Sequence, residues 1–166
     1  MGKKQHLHNA PGTIRTGIIT VSSSRSEKDD KSGQWIKKQA EKEGHRVAVY
    51  RVIADNSRII AKAVADGIGE HDLHAMILTG GTGISSADVT IEALQPMFSK
   101  EMGAFATLFT QLSFEKIDSA ALLSRAAAGI IGKTAVFCIP GSINACKLAC
   151  MELIFPEINH IAAHLG

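Results

Sequence analysis

The chain has 166 residues, 45% of them hydrophobic and 20% charged, with eighteen Lys and Arg set against sixteen Asp and Glu. That is one domain's length with enough apolar side chains for a sizeable core, and the charge is too sparse for a disordered chain. The net charge of +2 is too small for the basic stripe of a nucleic-acid binder, and no apolar run reaches the roughly 18 residues that a membrane span requires.

The polar opening Met1–Gly12 lacks the apolar core of a signal peptide. Cys138, Cys146 and Cys150 make no disulfide framework and have no CxxC spacing. A cytoplasmic protein is therefore expected, with a flexible tail over residues 1–13 and a single domain over 14–166.

In chain order, Thr16–Val21 is short and β-branched and predicts a buried strand. A polar loop, Ser22–Lys31, leads to a helix over Gly33–Glu43, with Ser32 as its expected N-cap and Gly44 as its stop. His45–Ile53 predicts the second strand. Asp55 or Ser57 is expected to cap the next helix, on which Ile59, Ile60, Ala63, Val64 and Ile68 share one face.

Ala75–Thr79 predicts a third strand running into Gly80-Gly81-Thr82-Gly83, and a helix is expected near Thr90–Leu94. The stretch Phe98–Ile131 reads as helical in at least two pieces, with a new start at Asp118 or Ser119. Thr134–Ile139 predicts the fourth strand. Pro140-Gly141-Ser142 then breaks the chain before a helix over Asn144–Leu153, and Pro156 opens a short terminal helix.

Apolar strands alternating with amphipathic helices predict an α/β fold: a mainly parallel sheet with helices on both faces, in three layers. In such sheets ligands sit beyond the carboxyl ends of the strands. That rule selects the segments 22–33, 54–57, 80–88 and 140–142.

The Gly80–Gly83 turn follows a buried strand. Glycines bring bare N–H groups close to an anion, and the threonine hydroxyls add donors, although a short glycine cluster also serves as a plain tight turn. It is not a Walker A loop, because Ile84 follows Gly83. Nor is it a dinucleotide fingerprint, because it follows the third strand.

Asp55 and Asp88 both lie where they could meet one crevice. A carboxylate beside a phosphate repels it unless a divalent cation intervenes, which points to Mg²⁺; the alternative is that each only caps a helix. Pro140-Gly141-Ser142 offers an N–H-rich helix start, or only a strand-to-helix turn. Ser119 and the Ser124-Arg125 pair are expected to add a hydroxyl and a fixed cation on the middle helix, although an Arg on an Ala-rich helix also serves as a solvated or ion-paired residue. His160 and His164 stand four apart, but no third ligand has metal-site spacing, so the pair is expected to be non-functional.

Several of these motifs, taken in order, resemble the molybdenum cofactor biosynthesis MoaB/Mog family. They are Asp29-Asp30-Lys31-Ser32-Gly33, Thr79-Gly80-Gly81-Thr82-Gly83, Asp88-Val89-Thr90 with Glu92-Ala93-Leu94, Leu123-Ser124-Arg125-Ala126 and Pro140-Gly141-Ser142. The resemblance covers about residues 14–155. It implies a compact α/β fold that binds molybdopterin, a pterin with a dithiolene and a terminal phosphate. It further implies transfer of AMP from ATP to that phosphate, with Mg²⁺ present and pyrophosphate released.

By position, Asp55 and Asp88 match the family's catalytic, metal-holding acids. Gly80, Gly81, Thr82 and Gly83 match its nucleotide loop; Ser22 and Arg25 match the first loop; Ser119, Pro140, Gly141 and Ser142 match the remaining wall. The resemblance also implies a homo-oligomer, trimer or hexamer. Three stretches depart from the family pattern. Ser23 and Ser24 stand where an acid, Asn or Thr is frequent, Ala104-Phe105-Ala106-Thr107 replaces Gly-Phe-Gly-Glu, and Pro140-Gly141-Ser142-Ile143 lacks a second proline. A non-catalytic pterin-binding assembly or regulatory module of the same pathway is the alternative function.

Overall fold

The computed structural model describes residues 12–166. The expected tail falls on residues 1–11, which lie outside the described residues, and on Gly12 and Thr13, which belong to no helix or strand. A six-stranded sheet runs in the order β2-β1-β3-β6-β5-β4. The strands are β1 (Arg15–Val21), β2 (Arg46–Ile53), β3 (Ala75–Thr79), β4 (Lys100–Glu101), β5 (Ala127–Ile131) and β6 (Thr134–Ile139). The first three and β6 are mutually parallel, while β5 pairs antiparallel with both β6 and β4.

Period-two alternation sorts the strand residues onto two cores. Ile18, Ile77, Phe137 and Ile139 face one side, under helices α1 (Lys31–Lys42), α4 (Gly103–Ile117), α5 (Ile143–Ala149) and α6 (Ile158–Leu165). Ile19, Met76, Leu78, Val136 and Cys138 face the other, under α2 (Ser57–His71) and α3 (Thr90–Leu94). The result is the expected three-layer α/β arrangement. No helix among the described residues is long and apolar enough to cross a membrane.

Three local expectations are corrected. First, α1 starts two residues early, because its N-cap is Asp30 and not Ser32; Asp30 Oδ1 accepts the Gly33 N–H at 2.9 Å. The same carboxylate is fully buried and also accepts Thr20 Oγ1 at 2.6 Å and Tyr50 OH at 2.8 Å, so one side chain ties α1 to β1 and β2. Burial, and then the Asp30 carboxylate, push the Tyr50 phenol up and keep it a donor.

Second, α2 is capped by Asn56, whose Oδ1 accepts the Arg58 and Ile59 N–H groups; Asp55 is engaged elsewhere. Third, the stretch 98–131 is not all helix. It contains α4 and a 3-10 turn over Asp118–Leu123, but also strands β4 and β5. Ile131 and Thr134 pair across Gly132-Lys133, a two-residue hairpin connection flanked by apolar runs. The helix expected over 144–153 is α5 followed by a π-helical turn, Cys150–Ile154.

At the far end of the sheet His74 accepts the Arg15 N–H on Nδ1 at 2.9 Å. Burial, with the Arg15 charge adding to it against Asp72, lowers the His74 pKa; burial also lowers that of His45. A histidine held neutral binds fewer protons folded than unfolded, so stability is lost as pH falls through the unfolded value near 6.5. The melting temperature is therefore expected to fall between pH 7.5 and 5.5, and to fall less in His74→Gln. Equal slopes for parent and variant would remove His74 from the pH response.

Candidate active site

The carboxyl ends of the four parallel strands are level, since Val21 pairs with Ile53, Thr20 with Thr79, and Thr79 with Ile139. Pairing continues one residue further, with Ser22 N–H donating to Ile53 O at 2.8 Å and Gly80 N–H to Ile139 O at 3.0 Å. The chain thus leaves the sheet at four neighbouring points. Between them opens a cleft of about 390 Å³.

Ser22, Arg25, Asp55, Gly80, Gly81, Thr82, Gly83, Asp88, Pro140 and Gly141 all line this cleft. Ser119 does not; it lies on the 3-10 turn, and Leu123 and Ser124 from the end of that segment line the cleft instead. Ser142 caps α5 by accepting the Ala145 N–H at 3.2 Å, and lines a neighbouring cavity. His160 and His164 lie on α6, with their Nε2 atoms 3.1 Å apart, and do not line the cleft.

The glycine turn cannot be built from other residues. Gly80 and Gly81 have φ of +99° and +65°. A Cβ on Gly80 would sit 2.3 Å from the Val21 carbonyl oxygen. Both conformation and crowding demand glycine here.

The acceptors of these loops are occupied from behind. Thr90 Oγ1 donates to Gly80 O at 2.9 Å and Thr90 N–H to Gly81 O at 2.9 Å, while Arg125 Nη1 donates to Gly83 O at 3.1 Å. Thr79 Oγ1 donates to Pro140 O at 3.0 Å and Ser32 Oγ to Gly141 O at 2.9 Å. With their carbonyl oxygens bound in this way, the loops present less lone-pair repulsion to an anion. Thr82 Oγ1 is buried, lines the cleft wall, and is the buried side-chain oxygen among the described residues that lacks a partner. An unmade hydrogen bond at such a group is expensive, typically about 1–3 kcal/mol, and a ligand acceptor would relieve it.

The two carboxylates flank the turn. Asp55 Oδ2 accepts both the N–H and the hydroxyl of Ser23, each at 2.7 Å. Asp88 Oδ2 accepts the N–H of Ser85 at 2.9 Å and its hydroxyl at 2.7 Å. Among the described residues, Oδ1 of neither carboxylate has a side-chain partner. Asp55 Oδ1 lies 3.2 Å from where a Cβ on Gly81 would be.

The Ser85 hydroxyl, aided by the N–H groups of Ser85 and Gly83 and the Arg125 charge against desolvation, holds the Asp88 carboxyl below its usual range. It is therefore an anion at neutral pH. Arg125 lies in the loop before β5, not on a helix, and pairs with Glu92 on α3.

The roles of Ser23 and Ser85 as holders of the acids, and of Thr90, Thr79 and Ser32 as carbonyl donors, are not apparent from the sequence, although the Ser85-x-x-Asp88 spacing is a local signal for one of them. The others act across 10 to 109 residues, a separation that leaves no local trace.

Beside the cleft lies a cavity of about 550 Å³ walled by Ile117, Leu148 and Met151, with Asn144, Lys116 and Lys147 at its margin. Ser124 lines both spaces.

Residues 17–160 match a family model described as a probable molybdopterin binding domain. Molybdenum cofactor biosynthesis protein B of Bacillus subtilis is 43% identical, the match covering 99% of this chain and 98% of that protein. A probable molybdopterin adenylyltransferase of Methanocaldococcus jannaschii is 38% identical over 96% of this chain and 98% of its own length. A crystal structure of a molybdenum cofactor biosynthesis protein B superposes with a TM-score of 0.90 at 41% identity, covering 94% of this chain and 98% of that one. With the sheet order, the strand-end cleft and these matches together, the chain belongs to the MoaB/Mog family of molybdenum cofactor biosynthesis proteins.

Proposed function

We propose that this chain is a molybdopterin adenylyltransferase, moving AMP from ATP to the terminal phosphate of molybdopterin and releasing pyrophosphate. The observation that carries the reading is the pairing of an anion-compatible glycine turn with two carboxylates that each keep one oxygen without a side-chain partner. The archaeal relative named a probable molybdopterin adenylyltransferase supports it.

The donor set fits magnesium, which takes one or two carboxylates and fills its octahedron with phosphate oxygens and water. Asp55 and Asp88 would hold the ion through Oδ1. Bound there, it would neutralise the charge of the triphosphate and of the departing pyrophosphate. The chain's own residues do the rest. The N–H groups of Gly81 and Thr82 and the Thr82 hydroxyl orient the nucleotide phosphates, and Arg25 adds a cation from the first loop. The neighbouring cavity, with apolar walls and polar margin, has the character of a pterin pocket, and Ser124 marks where it opens to the cleft.

In the reaction an oxygen of the molybdopterin phosphate bonds to the α-phosphorus of ATP as the bond to the bridging β-phosphate oxygen breaks. The nucleophile is already an anion, so no protein base or covalent intermediate is needed. Positioning and charge neutralisation suffice. The exposed apolar side chains Phe114 and Leu122 support self-association; a trimer or hexamer is what the family resemblance implies.

The test is pyrophosphate release from ATP and Mg²⁺, with and without molybdopterin. Release that depends on all three is expected. Pterin binding with no release would instead make the chain a binding module of the same pathway.

A further inference from the structure

We propose that Ser23 and Ser85 are matched positioning residues, each gripping one oxygen of an active-site carboxylate so that the other faces the divalent cation. This inference rests on the function proposed above. A carboxylate turns easily about its terminal bond, and a cation held by one oxygen from each of two loops needs that rotation stopped.

Both serines stop it in the same way, with N–H and hydroxyl converging on a single Oδ2 at 2.7–2.9 Å. The two grips come from different parts of the chain. Ser85 and Asp88 share one loop, and the Asp88 N–H closes it by donating to Ser85 O at 3.0 Å. Ser23 and Asp55 lie in the loops two residues past the ends of β1 and β2, and the Asp55 N–H donates back to Ser23 Oγ at 3.0 Å. The same geometry reached by two routes indicates a shared purpose rather than a local turn preference. By contrast, Ser26 meets Asp29 through its hydroxyl alone, at 2.6 Å, and neither residue lines the cleft.

Partners that orient metal ligands typically contribute about 10- to 100-fold to metal affinity. The experiment is calorimetric titration of Mn²⁺–ATP, and of ATP with chelator, in the absence of molybdopterin so that no turnover intervenes. The parent is expected to bind ATP more tightly with Mn²⁺. In Ser23→Ala and Ser85→Ala that metal-dependent gain should shrink about tenfold, with chelator-treated ATP binding and melting temperature unchanged. Ser85→Thr, which keeps the hydroxyl, and Ser26→Ala should retain the gain.

A parent with no metal-dependent gain would overturn the cation reading under the proposed function. A parent that shows the gain, with alanine variants that keep it, would overturn the positioning role alone. A Ser85→Thr variant as weak as Ser85→Ala would also overturn it.

Discussion

Asp88→Asn is expected to lower pyrophosphate release by about 10²-fold or more, the usual consequence of losing one preorganised electrostatic element. The substitution removes a charge at nearly constant shape. Asp88 lies in an exposed loop, its Oδ2 held by Ser85, and an amide oxygen can accept the same two donors. The amide nitrogen then stands where an anionic oxygen had been. It repels the cation that Asp88 is proposed to help hold.

Because the loop keeps its hydrogen bonds, stability should change by no more than about 0.5 kcal/mol, or a degree or two in melting temperature for a chain of this size. Molybdopterin affinity should be preserved. Melting, pterin binding and pyrophosphate release on one preparation separate these effects. Parent-like turnover would reduce Asp88 to a loop-closing residue.

Gly81→Val acts by shape instead of charge. At φ +65° a non-glycine residue is strained by about 1–3 kcal/mol, and a β-branched one is worse placed still. The added Cβ would stand 2.5 Å from Thr90 Oγ1 and 3.2 Å from both Asp55 Oδ1 and Val21 Cγ1. Thr90 is fully buried and grips the turn through Gly80 O and Gly81 O, so it cannot withdraw without releasing the loop. The variant should lose nucleotide binding and melt several degrees lower, while the sheet and its two helical layers persist. Calorimetry with ATP and Mg²⁺ beside a far-ultraviolet spectrum reads both. Unchanged nucleotide affinity in a folded variant would remove the glycine turn from the site.

The parallel half of the sheet was legible because β1, β3 and β6 are short apolar runs that stop at a serine, glycine or proline signal, and β2 shows a strand's alternation. Ala75–Thr79 and Thr134–Ile139 match to the residue. The antiparallel edge was not. Lys100–Glu101 is an exposed two-residue strand with no pattern of its own, and Ala127-Ala128-Gly129 reads by composition as readily for helix as for strand. That edge is fixed by distant partners, such as Ser99 N–H donating to Ile130 O and Met102 N–H to Ala128 O.

The same division holds at the cleft. Its glycines and acids stand at strand ends, where order along the chain announces them. What orders those groups comes from elsewhere. Asp30 displaced Ser32 as a cap because it answers donors on β1 and β2 as well as on α1, and Ser23 reaches its aspartate across 32 residues. Ser119 resembled a family position by local motif alone, and the 3-10 turn that carries it brings Leu123 and Ser124, not Ser119, to the wall.

The three cysteines carry a consequence for how the molecule opens. Cys138 lies on β6 under α2 and α3, whereas Cys146 on α5 and Cys150 on the π-helical turn after it face the opposite side of the sheet from within the helical layer. All three are free and buried, and burial pushes their thiols up, that of Cys138 to about 12. A thiol in that state is inert toward alkylating reagents until the layer that covers or carries it lifts. The chain therefore holds one chemical clock on each side of its sheet. Alkylation resolved by residue, with no label or mutation introduced, times the breathing of each helical layer separately and shows whether the two sides part together or in turn.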